Sequence, residues 1–263
     1  MPLDFSLDHM GPLTRSVRDA ALTLDALAGY DPRDETSSQR AVDSYVPPPG
    51  VTIPGLRIGW PENFYFDRID PLVLSGLKRM AAAAEQAGAK ITPVRVPDIA
   101  AINAVGRVIL MSEASALMAP FLDRRDSFGA DVLALFDQGR LIPATDYVNA
   151  QRLRRMLQRE FRAVWENVDC LLTPTAPMGA PKIGAATVRV GDEMEDVRLA
   201  STRLVRAINV LGLPAIAMPC GLDADGMPLG AQIIGKPFDE ATILRVARAH
   251  ERTQELFKRA PPV

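Results

Sequence analysis

Apolar residues recur at helical spacing through Val17, Ala20, Ala21, Leu24, Leu27 and Ala28. Thr14 and Ser16 stand before them, Asp19 lies early and Gly29 follows, so the segment is predicted to be a capped helix. Residues 30–55 lose periodicity and become rich in Pro, Asp, Ser and Thr, which reads as a long surface connection. Residues 56–60 then form a short apolar run, 71–87 an alanine-rich helical pattern closed by Gly88, and 90–96 an alternating strand. That order is a β-α-β unit, which demands a right-handed crossover onto a parallel or mixed sheet covered by helices.

Further helices are predicted at about 98–120, 128–138 and 145–166, the last carrying Ala150, Leu153, Leu157, Phe161 and Val164 on one stripe. Strand-like runs return at 169–173, 215–219 and 229–234. A final helix is expected from Asp239 as N-cap to about Phe257, with Phe238 and Ile243 placed as a hydrophobic staple. The fold class is therefore α/β, without internal repeats or low-complexity tracts.

The chain of 263 residues is long enough for a sizeable core, and its formal charge of −2 comes from interspersed acids and bases. No basic run suggests nucleic acid or an anionic membrane as partner, and no stretch of eighteen uninterrupted apolar residues suggests a span. The N-terminus lacks the basic and apolar regions of a signal peptide, so a cytoplasmic location is expected. Cys170 and Cys220 are too few for a disulfide framework and read as buried free thiols.

Nucleophilic hydrolysis needs a serine, cysteine or threonine at a sharp turn, a nearby base and backbone donors for the oxyanion. None of the 18 glycines is followed by serine, so no Gly-Ser-rich loop can be written, and no Gly-x-Ser-x-Gly elbow is present in the sequence either. His250 falls on the apolar stripe of the last helix and reads as a core or boundary residue. His9, after Asp8, reads as structural for want of a neighbouring nucleophile. The cluster Asp192, Glu193, Glu195, Asp196 looks like a solvated loop rather than a metal site, and the segment from Asp223 to Gly226 like a tight turn between strands. No metal or other cofactor is expected.

Three stretches, FSLDHMGPLT at 5–14, DCLLTPTAP at 169–177 and NVLGLPAIAMPCG at 209–221, followed by GMPLGAQIIG at 226–235 and PFDEAT at 237–242, together resemble the amidase-signature family. The resemblance implies a large mixed β-sheet flanked by helices on both faces, with 1–263 the C-terminal portion of a single domain. The fold would then be incomplete, with its N-terminal half absent. It also implies amide hydrolysis through an acyl-enzyme, using a neutral lysine, a serine in a cis peptide and a nucleophilic serine. In the family all three lie upstream of the stretch matched by residues 5–14, so no catalytic residue is carried over. A small amide is the implied substrate. The implied macromolecular partner is a separate N-terminal half, with self-association through exposed sheet edges as the alternative.

For the substrate pocket, the resemblance points to Tyr147, Arg154 and Thr202. Tyr147, Ala150, Arg154 and Phe161 share a helix flank, and glutamine-using members that make amidated transfer RNA grip the substrate carboxylate with an arginine at the position matching Arg154. The alternative is that Arg154 is one of several solvated arginines. Those same members place an aspartate where this chain has Thr202, a departure that favours a general amidase over one component of a glutamine amidotransferase. The competing functional class is a non-catalytic binding module that keeps the sheet and pocket walls.

Overall fold

A computed structural model describes residues 3–42, 44–253 and Leu256. Helix α1, Val17–Leu27, starts where the Ser16 side chain accepts the Asp19 N–H. No helix or strand forms in the described part of 30–55, as expected of a connection, but its end is not at the surface. Val51 and Ile53 are buried, and Ile53 belongs to the main core.

Strand β1, Arg57–Pro61, helix α2, Pro71–Gln86, and strand β2, Lys90–Val94, build the predicted β-α-β unit, with Arg57 opposite Lys90 in parallel register. Asp70 caps α2 by accepting the Leu72 N–H, and Pro71 fills the first turn, where no N–H is needed. Helix α3, Ile99–Met118, is capped by Asp98 and continues as a 3₁₀ segment, Ala119–Ser127. By length and composition that combined segment would pass for a membrane span; here α3 packs against α4, Ala130–Gly139, and α5, Ala144–Phe161. The expected helix 145–166 is broken after Phe161, with α6 at Val164–Asn167. Leu153 turns outward, whereas Ala150, Phe161 and Val164 are buried.

Strand β3, Cys170–Pro174, is buried at every residue. A small antiparallel ladder follows, β4 at Thr187–Val190 and β5 at Glu193–Asp196, so the acidic cluster read as a solvated loop is instead a strand whose last residue caps a helix. That helix is α7, Val197–Thr202, and α8, Arg206–Leu211, comes next, ending at Gly212 in the left-handed conformation. Strands β6, Ala215–Leu222, and β7, Pro228–Gly235, are joined by the predicted turn, in which Asp223 accepts the N–H groups of Asp225 and Met227 and Gly226 has φ +81°. Helix α9, Glu240–Glu251, ends at the cap residue Arg252 with Thr253 in a turn, short of the expected end near Phe257, which itself lies outside the described residues. Its staple does not form. Phe238 is exposed at φ +62° with the Arg40 guanidinium over its ring, and Asp239 makes no side-chain cap.

The main sheet runs β2-β1-β3-β7-β6, parallel from β2 to β3 and antiparallel from β3 to β6. Helices α2 and α9 touch each other and cover one face, where Ile58, Leu172 and Ile233 meet Met80 and Val246. On the other face Gln232 donates to the Leu204 carbonyl between α7 and α8, and α8 rests on α3 and α5. The core joins both layers, and each fully buried Leu or Ile in it contributes about 1.5–3 kcal/mol. At the origin of β3 the Asp169 carboxylate takes the Arg57 N–H at 3.0 Å, its guanidinium at 2.8 Å and the Lys236 ammonium at 3.2 Å, tying β1, β3 and the end of β7 together.

Candidate functional site

Two neighbouring features converge on the N-terminal segment. The first is a polar cluster between α3 and α5. Glu113 is one of two charged residues in the apolar helix α3, and its carboxylate collects donors from three directions. Its Oε1 accepts from the Tyr147 hydroxyl at 2.7 Å, the Ser6 hydroxyl at 2.8 Å and Gln151 Nε2 at 3.2 Å, while Oε2 accepts the Ser6 N–H at 2.8 Å. Burial raises its pKa, but the bonds from Asp4, Tyr147 and Ser6 outweigh that and leave it below the ordinary value. The Tyr147 hydroxyl is pushed upward by burial and by the same carboxylate.

Arg154 stands one turn beyond Gln151, half-buried, whereas Arg152 and Arg155 on either side are exposed. Its Nε donates to the Val210 carbonyl at 2.6 Å and its Nη2 to the Ser6 carbonyl at 2.9 Å, so the guanidinium joins α5 to α8 and to the N-terminal segment. Burial lowers its pKa, and Glu113 and Asp4 oppose that shift. Tyr147 and Arg154, both expected as pocket residues, are thus brought together around Glu113. Thr202 is half-buried on α7, where its hydroxyl donates to the Arg198 carbonyl of its own helix at 2.7 Å. Asp4, Ser6, Glu113 and Gln151 were not anticipated. The signals were an isolated acid in an apolar helix and a glutamine four residues after Tyr147.

The second feature is an open cleft of about 580 Å³ along the free edge of β6. His9, Leu13, Ser16, Met218, Glu240 and His250 are among the residues that line it. His9 Nδ1 lies 2.8 Å from the Leu7 carbonyl and 3.3 Å from Asn209 Nδ2, which also donates to Leu7 at 3.1 Å, so the segment leaving the polar cluster becomes the lip of the cleft. His250 is buried as expected, and burial pushes its pKa down to about 4, with the Pro219 carbonyl opposing the shift. Both cysteines are free and buried, which drives their pKa values up to about 12 for Cys170 and about 11 for Cys220, so neither offers a thiolate nucleophile near neutrality. No group of three potential metal ligands occurs among the described residues.

The profile of the amidase family matches residues 1–244. An amidase from Pseudomonas putida is 38% identical over 98% of the chain and 56% of its own length. One component of the Glutamyl-tRNA(Gln) amidotransferase from Myxococcus xanthus is 32% identical over 98% of the chain and 57% of its own length. Among solved structures, a vestigial protein complex reported to reveal the evolutionary origins of an s-triazine catabolic enzyme superposes with a TM-score of 0.87 at 31% identity, covering 96% of this chain and 55% of that one. A crystal structure of an amidase gives 0.81 at 25% identity, with coverage of 96% and 54%. The chain therefore spans a little over half the length of the relatives it matches. With the profile covering most of its residues, the chain belongs to the amidase family.

Proposed function

We propose that these residues furnish the scaffold and part of the substrate cavity of an amidase-signature amide hydrolase, and that the nucleophilic serine, the relaying serine and the lysine base come from polypeptide outside them. The observation that carries this reading is the conjunction of a family match over residues 1–244, coverage of only 56% of a curated relative, and 18 glycines none of which precedes a serine. Tyr147 and Arg154 would line the cavity for a small amide, with Thr202 on its rim. The hydroxyl at Thr202, in place of a carboxylate, supports a substrate other than free glutamine.

The complementary polypeptide would dock along β6. That strand is an edge of the sheet, Ala215 and Ala217 are exposed, and the segment beside it exposes Met10 and Leu13. Pro219 and the register shift before Gly221 interrupt the edge, so strand addition is confined to residues 215–218.

The test is hydrolysis of a simple carboxamide by the chain alone, and by the chain mixed with the portion of the Pseudomonas putida amidase that it does not match. Turnover only in the mixture is expected, and turnover by the chain alone at rates typical of a working enzyme would overturn the reading. Amide binding without turnover in either sample would favour the non-catalytic module, which the lack of a Gly-Ser turn also supports.

A further inference from the structure

We propose that Asp4 and Glu113 share a single proton and so form a pH-operated clasp that seats residues 3–9 on helices α3 and α5. Glu113 receives three donor contacts on Oε1, from Ser6, Tyr147 and Gln151, and one on Oε2, from the Ser6 N–H, the arrangement of an ionised carboxylate with acceptor capacity left on Oε2. Asp4 is only 1% exposed. Its Oδ1 accepts the N–H groups of Ser6 at 3.1 Å and Leu7 at 2.9 Å, but its Oδ2 meets no N–H or O–H donor among the described residues and faces the Glu113 carboxylate. A buried carboxylate oxygen without a donor beside a second carboxylate is costly, and one proton on Oδ2 turns that repulsion into an O–H···O⁻ bond.

Among the described residues the charges around the pair are few. Asp8, on the same segment, accepts the N–H groups of Leu3 at 2.8 Å and Asp4 at 3.2 Å and adds negative charge nearby. From α5 come the Arg154 guanidinium, which balances one negative charge, and the neutral Tyr147 hydroxyl. From α8 the packing group is the uncharged Asn209. Among the described residues, one cation thus faces a pair that would carry two negative charges once its proton is lost. Consistent with this, burial first and Glu113 second raise the Asp4 pKa to about 7, against the N–H groups of Ser6 and Leu7.

The sign follows from the raised value. The clasp is closed while Asp4 is protonated and opens as pH climbs through about 7. Opening loosens the Ser6 carbonyl that anchors Arg154 and the Leu7 carbonyl that holds Asn209 and His9, and so reaches the lip of the cleft.

The test is carboxyl ¹³C NMR of the chain, combined with hydrogen-exchange protection factors for the Ser6 and Leu7 amides. Asp4 is expected to show its inflection near 7, and protection at both amides to fall by about tenfold or more from about pH 6 to about pH 8.5. In Asp4→Asn the amide group donates to Glu113 permanently, and protection should stay level over that range. In Glu113→Gln the Asp4 inflection should move down towards the ordinary carboxyl value. An Asp4 inflection near 4 in the native chain, or protection there that ignores pH, overturns the proposal. The native titration decides it even where a variant fails to fold.

Discussion

At the scale of single residues, the chain's polar side chains hold separate segments of backbone in place. Arg154 illustrates how far its role was readable from sequence. Steps of three, four and seven residues along α5 put it on a flank that turns inward, and it is half-buried while its neighbours are not. Its acceptors, the carbonyls of Ser6 and Val210, lie 148 and 56 positions away, and nothing local in the chain announces them. Arg154→Met should leave both carbonyls without their donor and lower unfolding free energy by about 2 kcal/mol in urea titrations, since buried hydrogen bonds to a charged group contribute about 1.5–3 kcal/mol. In an assembled, active enzyme the same change should raise KM more than it lowers kcat if Arg154 also touches substrate.

Two other residues set the acid limb of stability. His250 is neutral in the fold, with a pKa near 4 against about 6.5 when unfolded, so its contribution is full above about 6.5 and is lost as pH falls towards 4. A His250→Gln variant should flatten that decline, by up to about 3 kcal/mol between the two pH limits, as read from denaturation midpoints. Asp169, held well below the carboxylate range chiefly by the Arg57 guanidinium, acts in a lower window. Its stabilisation is present above about 4 and disappears only in stronger acid. Asp169→Asn should cost about 1.5–3 kcal/mol at neutral pH, measured the same way, because Arg57 and Lys236 lose a shared charged acceptor.

At the scale of elements, what was legible had a local cause. Ser16, Asp70 and Asp98 cap α1, α2 and α3, and the turn from Asp223 to Gly226 folds on its own side chain. The ladder of β4 and β5 was missed because each strand is four residues long and β5 is almost wholly acidic, which imitates a solvated loop. Its acids answer Arg68, with Glu193 at 2.9 Å and Glu195 at 3.1 Å. Helices α7 and α8 are six residues each, too short for a 3.6-residue period to show. Phe238 misled for the opposite reason. It stands where a staple belongs, but its positive φ turns it out to solvent under Arg40. Close approach of α3 and α4 is set by Gly139, where an added Cβ would run into the Met111 carbonyl and the Ser115 hydroxyl. Gly139→Ala should therefore cost about 1–3 kcal/mol by thermal or urea unfolding, although alanine is the better helix former.

At the scale of the molecule, fold class could be inferred from the order of elements, whereas the layout of the sheet depends on pairings between distant segments. The lip formed by Met10 and Leu13, 97% and 102% exposed, lies beside the open edge of β6. Sedimentation of the chain by itself should show association that strengthens with concentration and is weakened by Met10→Lys with Leu13→Lys. A monomer at all concentrations would argue that this lip needs no cover.

The mixed sheet also bears on how the chain reaches its native state. Strands β1 and β2 are joined by one helix and β6 and β7 by one turn, so each pair can nucleate early from near neighbours in sequence. Joining the two nuclei waits for β3, whose first contacts with β1 include the bond from Arg57 to Asp169 across 112 positions. In pulse-labelled refolding the amides of β1–β2 and β6–β7 should gain protection before those of β3, and Asp169→Asn should slow that last step more than it slows the first two. The central strand is then the latest to be assembled, and a nascent chain would leave its Cys-Leu-Leu run open to water for longest.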